Sequence, residues 1–331
     1  MRVLALVPGG ISEQLLFLPT LEDIKRAFPK AEIDVVVEPR AKSAYQVSKL
    51  VDEVIPFDFL AANSPADWAN LLGIVRDREF EVAISTSGRW EEGVLLWLSG
   101  VPTRITYKTT RTPWLYTRVV PYQNSRYKAD LYHDLVKGLN LSSRRPALSL
   151  NLPEGDLAWA DAMREQMGLK GGYVLAYPGA MAGSSSQADP DRYPIESWLT
   201  IFRDFQAKQP QLSLVLLKMP DSQAAVGELT QQMPELKGVV PENMGQMAAL
   251  IAGADLVLSP DSDILQLAIA LNVFTLGLLS NATPETLLPP AQEAASKQTE
   301  KAETRFVAVK STTSQLKDLP PEKVLKQIWG D

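Results

Sequence analysis

Cysteine is absent from these 331 residues, so disulfides, thiolate nucleophiles and zinc–thiolate sites are excluded. Histidine occurs once, at His133. That rules out His–His metal motifs and leaves one candidate for a Ser–His mechanism, although a lone histidine serves equally well as a packing or capping residue. Long apolar runs are missing too. None reaches the ~18 residues of a membrane span, and the opening run, Arg2–Val7, is too short for a secretory leader. An excess of positive charge is also lacking: 33 Lys and Arg against 39 Asp and Glu give a net charge of -6, so no global field draws the chain to nucleic acid. The expectation is a soluble cytoplasmic protein, with peripheral membrane contact left open. The length and a 45% hydrophobic content support a large core and two domains.

The chain is organised around residues 254–271. Leu256 to Ser259 reads as a buried strand, Pro260 follows, and a helix opens at Asp261, Ser262 and Asp263. A helix starting at the carboxyl end of a strand aims free backbone N–H groups at whatever lies above the sheet, where phosphorylated ligands bind in open α/β proteins. The rest of the chain alternates in the same rhythm. Short apolar runs at 2–7, 33–37, 51–57, 82–85 and 104–107 predict strands, and helical spacing predicts helices from Ser12 onward and over 68–75 and 92–98. Ser12 is the expected cap of the first helix, and Pro19 predicts a kink or break in it.

Residues 141–156, rich in Ser and Pro, read as a linker. The pattern then restarts, with strands expected at 173–177, 212–217, 238–240, 256–259, 273–279 and 306–309, and a closing helix over 321–329. Residues 291–304 read as a polar surface loop. The expected architecture is α/β: domains 1–150 and 151–331 with a cleft between them, the last helix packing back on the first domain.

Four places hold residues suited to chemistry or binding. The turn Pro8-Gly9-Gly10-Ile11-Ser12-Glu13 lacks the Gly-Lys-Ser/Thr of a Walker loop and the later glycine of the dinucleotide fingerprint. It does set two glycines and a carboxylate at a strand-to-helix turn. Glu13 is a candidate general base, or simply an acid in a first helical turn. In the second half, Pro178-Gly179 and the Ser-rich run with Ser184 and Ser185 suit close approach of backbone amides to a phosphate, and Arg192 suits its charge. The bland alternative is a flexible loop. Asp261 and Asp263 invite a metal reading. They fit equally an N-cap at Asp261 and a first-turn acid, and no further carboxylates lie nearby in sequence. Residues 108–128 break the β/α rhythm with Lys108, Arg111, Arg118, Arg126 and Lys128, no acid, and Trp114, Tyr116, Tyr122 and Tyr127 interleaved. That composition suits an anionic acceptor or lipid surface, or an ordered loop packed by its aromatics.

Taken in order, these pieces resemble glycosyltransferase family nine, the ADP-heptose:lipopolysaccharide heptosyltransferases. The resemblance rests on the Gly9–Glu13 turn with Leu18-Pro19, Val51-Asp52-Glu53-Val54-Ile55, Gly100-Val101-Pro102-Thr103-Arg104-Ile105, Pro178-Gly179-Ala180, Arg192-Tyr193-Pro194 with Trp198, and residues 261–271. It implies the GT-B fold of two Rossmann-like domains and inverting, metal-independent transfer without a cofactor. The substrates implied are a nucleotide-diphosphate sugar donor and a cell-surface glycan or lipid-linked acceptor, at the cytoplasmic face of the inner membrane. Glu13 then stands at the family's catalytic aspartate and Arg192 at its diphosphate clamp. Pro178, Gly179, Ser184, Ser185, Asp261, Ser262, Asp263 and Gln266 line the donor; Gly9, Gly10, Ser12, Lys108 and Arg111 meet the acceptor.

The departures cluster at one helix start, with two more elsewhere: Ser280 takes the place of a glycine, and Glu13 is one methylene longer than the family's aspartate. The family's helix start reads Asp-Thr-Gly-x-x-His, whereas this chain has Asp261-Ser262-Asp263-Ile264-Leu265-Gln266. Asp263 adds a negative charge where phosphates would lie, a repulsion of roughly 1–4 kcal/mol depending on the effective dielectric. The ~0.3–1 kcal/mol a helix dipole returns does not offset the upper part of that range. Gln266 cannot protonate as histidine could. The second reading is therefore a non-catalytic descendant that binds or scaffolds. An epimerase or phosphatase reading lacks its Tyr-x-x-x-Lys or Asp-x-Asp signature.

Overall fold

A computed structural model of the chain describes residues 1–169, 171–179, 192–290 and 305–330. It divides into two compact units: Met1–Asn151 with Glu285–Leu288, and Leu152–Pro284 with Pro289–Asp331.

The first unit runs β1 (Arg2–Val7), α1 (Ile11–Ala27), β2 (Glu32–Val37), a 3-10 segment Pro39–Val47, β3 (Glu53–Pro56), α2 (Pro65–Asp77), β4 (Val82–Ser85), α3 (Trp90–Ser99), β5 (Thr103–Tyr107), a 3-10 turn Pro113–Leu115, β6 (Arg118–Val120), α4 (Lys128–Asp134) and a 3-10 turn Leu135–Leu139. The strands pair in parallel in the order β3-β2-β1-β4-β5-β6. In β1 and β2 every residue after the first is buried, as expected for strands covered on both faces.

Three expectations for this unit need correction. Gly10, not Ser12, caps α1, because the Glu13 carboxylate folds back and accepts from the Gly10 N–H at 2.9 Å. No break occurs at Pro19. The helix continues to Ala27 and is buried from Gln14 to Leu21, so packing on the sheet holds the turn whose hydrogen bond proline removes. The stretch 108–128 is not one loop. It contributes the edge strand β6, only three residues long and so too short to show a period in sequence.

The second unit runs α5 (Glu154–Gln166), β7 (Tyr173–Ala176), α6 (Ile195–Lys208), β8 (Ser213–Leu217), α7 (Gln223–Gln232), β9 (Lys237–Val239), α8 (Met244–Ala252), β10 (Leu256–Pro260), α9 (Asp263–Ala270), β11 (Thr275–Leu279), β12 (Phe306–Lys310) and α10 (Pro321–Trp329). Its strand order, β12-β11-β10-β7-β8-β9, repeats the first unit's topology. Trp198 is wholly buried, stacked on Phe202 at 5.4 Å and edge-on to Tyr193 at 5.4 Å. The closing helix packs on α6 of its own unit. There the Trp329 ring lies 5.1 Å from Phe205, and its Nε1 donates to Asp204 at 2.6 Å. The surface loop expected at 291–304 lies outside the described residues.

Each sheet reverses its winding between two central strands, β1 and β4 in one unit and β7 and β10 in the other. The chain must diverge there, and loops at the carboxyl ends open toward ligands. In the first unit the loop after β4 is held from below by Glu92. This fully buried carboxylate accepts from Ser85 Oγ at 2.5 Å and Ser87 Oγ at 2.6 Å. Ser85 Oγ in turn accepts from the Gly88 N–H at 2.9 Å. Burial pushes the Glu92 carboxyl up to about 7, against the pull of the two serines and Arg89. The folded state therefore binds this proton more tightly than the unfolded chain. The stabilisation is complete below the ordinary value of 4.5 and is lost as pH rises toward about 7. Thermal melts should show this loss, on the order of 3 kcal/mol, across that window, and Glu92→Gln should remove it. A variant retaining the full pH slope would assign the titration to another group.

Candidate functional site

In the first unit the turn between β1 and α1 is built on glycine geometry and a buried amide. Gly9 has φ +126°, and a Cβ there would lie 2.6 Å from Glu13 Cγ, so the residue must be glycine. Beneath it, the buried Gln14 side chain donates to Val7 O at 2.9 Å and Gly10 O at 3.3 Å, and accepts from Tyr45 Oη at 2.9 Å. Gln14 escaped the sequence reading because a polar residue in an apolar helix looks exposed.

Glu13 sits half-buried on this turn with both carboxylate oxygens engaged. Oε2 accepts from Gly10 N–H, and Oε1 accepts from Lys128 Nζ at 2.7 Å. Each oxygen keeps a lone pair for a further donor. Lys128 opens α4, which packs along α1, and its Nζ also lies 5.8 Å from the Tyr132 ring centroid. Sequence reading counted Lys128 among the cations of 108–128 without giving it a role, since its partner is 115 residues away. Lys108 and Arg111 are exposed on the segment following β5. Ser12 lies on the first turn of α1.

His133 belongs elsewhere. Its Nε2 meets Asp23 Oδ2 at 3.0 Å in the buried contact between α4 and α1, and burial keeps it below its ordinary value despite the neighbouring carboxylate. It joins two helices, as the packing alternative anticipated.

In the second unit the carboxyl ends of β7, β8 and β10 converge. Tyr177 follows β7, and its hydroxyl donates to Asp221 in the loop beyond β8. Pro178 and Gly179 are buried, and a Cβ on Gly179 would strike the Tyr177 ring at 2.3 Å, so the backbone lies directly over the phenol. Burial pushes the Tyr177 hydroxyl far up, helped by the hydrogen bond to Asp221 and by the charges of Asp221 and Asp263, while Arg192 opposes them. Of these groups, Asp221 touches the Tyr177 hydroxyl directly. Arg192 Nη2 donates to Asp221 O at 3.1 Å, and its buried Nε–H has no partner among the described residues. Ser184 and Ser185 lie outside the described residues.

The helix start after β10 differs from expectation in one respect. Ser262, not Asp261, caps α9 and accepts from the Leu265 N–H at 3.2 Å. A second hydroxyl, Ser259 Oγ, lies 2.9 Å from Ser262 Oγ. Asp263 occupies the first turn, and Gln266 is buried one turn along. No group of three or more carboxylate or histidine side chains among the described residues could hold a metal ion. No described helix is long and apolar enough to cross a membrane.

Similar folds are known. The chain matches a glycosyltransferase family 9 protein from Veillonella parvula with a TM-score of 0.80 at 17% identity, over 98% of this chain and 95% of that one. It matches E. coli ADP-heptose lps heptosyltransferase II at 0.76 and 16%, over 99% and 97%. E. coli heptosyltransferase WaaC with ADP is matched at 0.72 and 17%, again over 99% and 97%. These likenesses establish the fold as GT-B type, built of two Rossmann-like domains. Among curated proteins, the photosynthetic NDH subunit of subcomplex B 1 from Arabidopsis thaliana is 30% identical over 88 residues. That stretch is 26% of this chain and spans only 19% of the relative's length. The model of glycosyltransferase family 9 (heptosyltransferase) matches residues 68–315, so this chain belongs to that family.

Proposed function

We propose that the protein is an inverting, metal-independent glycosyltransferase that moves a sugar from a nucleotide-diphosphate donor to a cell-surface glycan or lipid-linked acceptor, of the kind found in lipopolysaccharide. The observation that carries the reading is the buried Nε–H of Arg192, which has no partner among the described residues, beside the strand ends of the second unit. A buried N–H donor left unmet is costly, and the half-exposed guanidinium that carries it suits an anion such as a departing diphosphate. Gly179 and the amides at the start of α9 would approach the phosphates, and Ser262 would keep the helix end ordered. Ser184 and Ser185 stay within this proposal from the sequence pattern alone.

On the acceptor side, Glu13 takes the acceptor proton as the hydroxyl oxygen attacks the anomeric carbon. The sugar–phosphate bond breaks on the opposite face, and the nucleoside diphosphate leaves with its charge met by Arg192. Gly9, Gly10 and Ser12 let the acceptor approach, while Lys108 and Arg111 meet its negative groups. The work would be done at the cytoplasmic face of the inner membrane, by peripheral contact.

A second reading, a non-catalytic scaffold or assembly subunit, is favoured by a specific observation. Asp263 adds a carboxylate to the helix start where phosphates would lie, close enough to Tyr177 to act on it. The Arabidopsis relative, named a subunit of a photosynthetic complex, points the same way.

Calorimetric titration with ADP and UDP separates the two. Binding below millimolar concentration is expected, and its absence would remove the transferase reading. Asp263→Gly should tighten nucleotide binding by about tenfold, equal to ~1.4 kcal/mol of relieved repulsion. Unchanged affinity would place the phosphates away from α9. Glu13→Gln should lower transfer by roughly 100-fold or more with nucleotide affinity intact; full turnover in that variant would reassign the base.

A further inference from the structure

Between Glu92 and Asp130 the chain has no acidic residue and six cations, Arg104, Lys108, Arg111, Arg118, Arg126 and Lys128, in a protein of net charge -6. Three of the six are engaged within the fold. Arg104 donates to Leu115 O at 2.7 Å and Val101 O at 2.6 Å, Arg126 pairs with Asp134 at 2.6 Å, and Lys128 pairs with Glu13. Lys108, Arg111 and Arg118 are exposed and form no ion pair among the described residues.

This segment and the helix it packs on, α3, carry three of the chain's seven tryptophans. Trp90 and Trp97, seven residues apart, share one face of α3 and are 59% and 57% exposed. Gly93 lies between them on that face. A Cβ there would come within 2.9 Å of Leu115 and 3.1 Å of Tyr116, so the missing side chain lets the loop after β5 pack onto the helix. Trp114 is 72% exposed and adjoins Leu115 in the segment that packs on α3 at Gly93. Leu98 and Val119 add exposed apolar surface. Glu91, the acid on this part of α3 that is not buried, faces Arg89 at 3.5 Å.

We propose that this face of the first unit, formed by Trp90, Trp97, Trp114, Lys108, Arg111 and Arg118, docks on an anionic lipid bilayer surface. Tryptophan settles at the level of the headgroups, where its apolar ring and polar N–H are both satisfied, and Lys and Arg beside it meet anionic headgroups. A bilayer supplies the uniform negative charge that an unbalanced set of cations requires; a protein partner would have to present an acidic patch of matching extent. The inference rests on the proposed lipid-linked acceptor in that it names the surface that brings the first unit to such an acceptor, but its test does not depend on transfer.

The test uses the full chain with vesicles of equal phosphatidylcholine and phosphatidylglycerol, and with phosphatidylcholine alone, followed by sedimentation and tryptophan emission. The expected result is binding to the anionic vesicles only, a blue shift of emission, and weakening as salt is raised. Neutralising Lys108, Arg111 and Arg118 together to Gln should weaken binding by on the order of 100-fold. Trp90→Ser, Trp97→Ser and Trp114→Ser should each reduce the blue shift. In the unmutated chain, bound vesicles should protect the indoles from acrylamide quenching, a readout independent of any variant's folding. No binding to anionic vesicles, equal binding to both compositions, or full binding by the Gln variant would overturn the proposal, the last two by removing the charge component. Vesicle binding by a chain that fails to bind ADP or UDP would sustain it while the transferase reading fell.

Discussion

Parallel strands buried on both faces constrain everything else in this molecule. Along β1, β4, β7 and β10 the backbone groups are consumed by the ladder, and the faces are covered by helices. Polar groups and chain ends can therefore meet a ligand only beyond the strands' carboxyl ends, where the winding reverses. Each candidate element is found there: Gly9 to Glu13 after β1, the Glu92-anchored loop after β4, Tyr177 to Gly179 after β7, and Ser262 to Gln266 after β10. The same topology built twice gives two such places, one in each unit.

The two places are not alike in charge. In the first unit the carboxylate of Glu13 is held from both sides, by a backbone N–H and by Lys128, which fixes its position. In the second, the Tyr177 hydroxyl donates to the Asp221 carboxylate, Arg192 Nη2 donates to the Asp221 carbonyl, and Asp263 stands in the first turn of α9. On the proposed reading an incoming diphosphate gains Arg192 and meets Asp263, two groups on different elements.

The basic and aromatic surface of the first unit adds a different property. Its cations are in excess because the carboxylates that would pair with them lie elsewhere in sequence, and its indoles are displayed because Gly93 lets a loop lie across α3. This is a surface made by packing, although each residue type in it was visible in the chain.

Much was legible without coordinates. Apolar runs set the buried strands because a strand covered on both faces tolerates few alternatives, and the order of turns and short motifs identified the family. Edge strand β6 was not legible, since three residues are too few to show a strand period. Neither was the continuity of α1 through Pro19, where burial overrides a local preference. Nor did local rules distinguish Ser262 from Asp261, or Gly10 from Ser12, as caps, because both members of each pair suit the position and a neighbouring side chain decides. The sequence by itself determined the α/β class, the strand-to-helix turns and the unusual Asp263. Only tertiary structure decided that Glu13 meets Lys128, that Gln14 and Glu92 hold the loops from beneath, and that Tyr177 and Arg192 both meet Asp221. The longest of these contacts joins residues more than a hundred positions apart, and the strand order that brings such residues together is a property of the whole sheet.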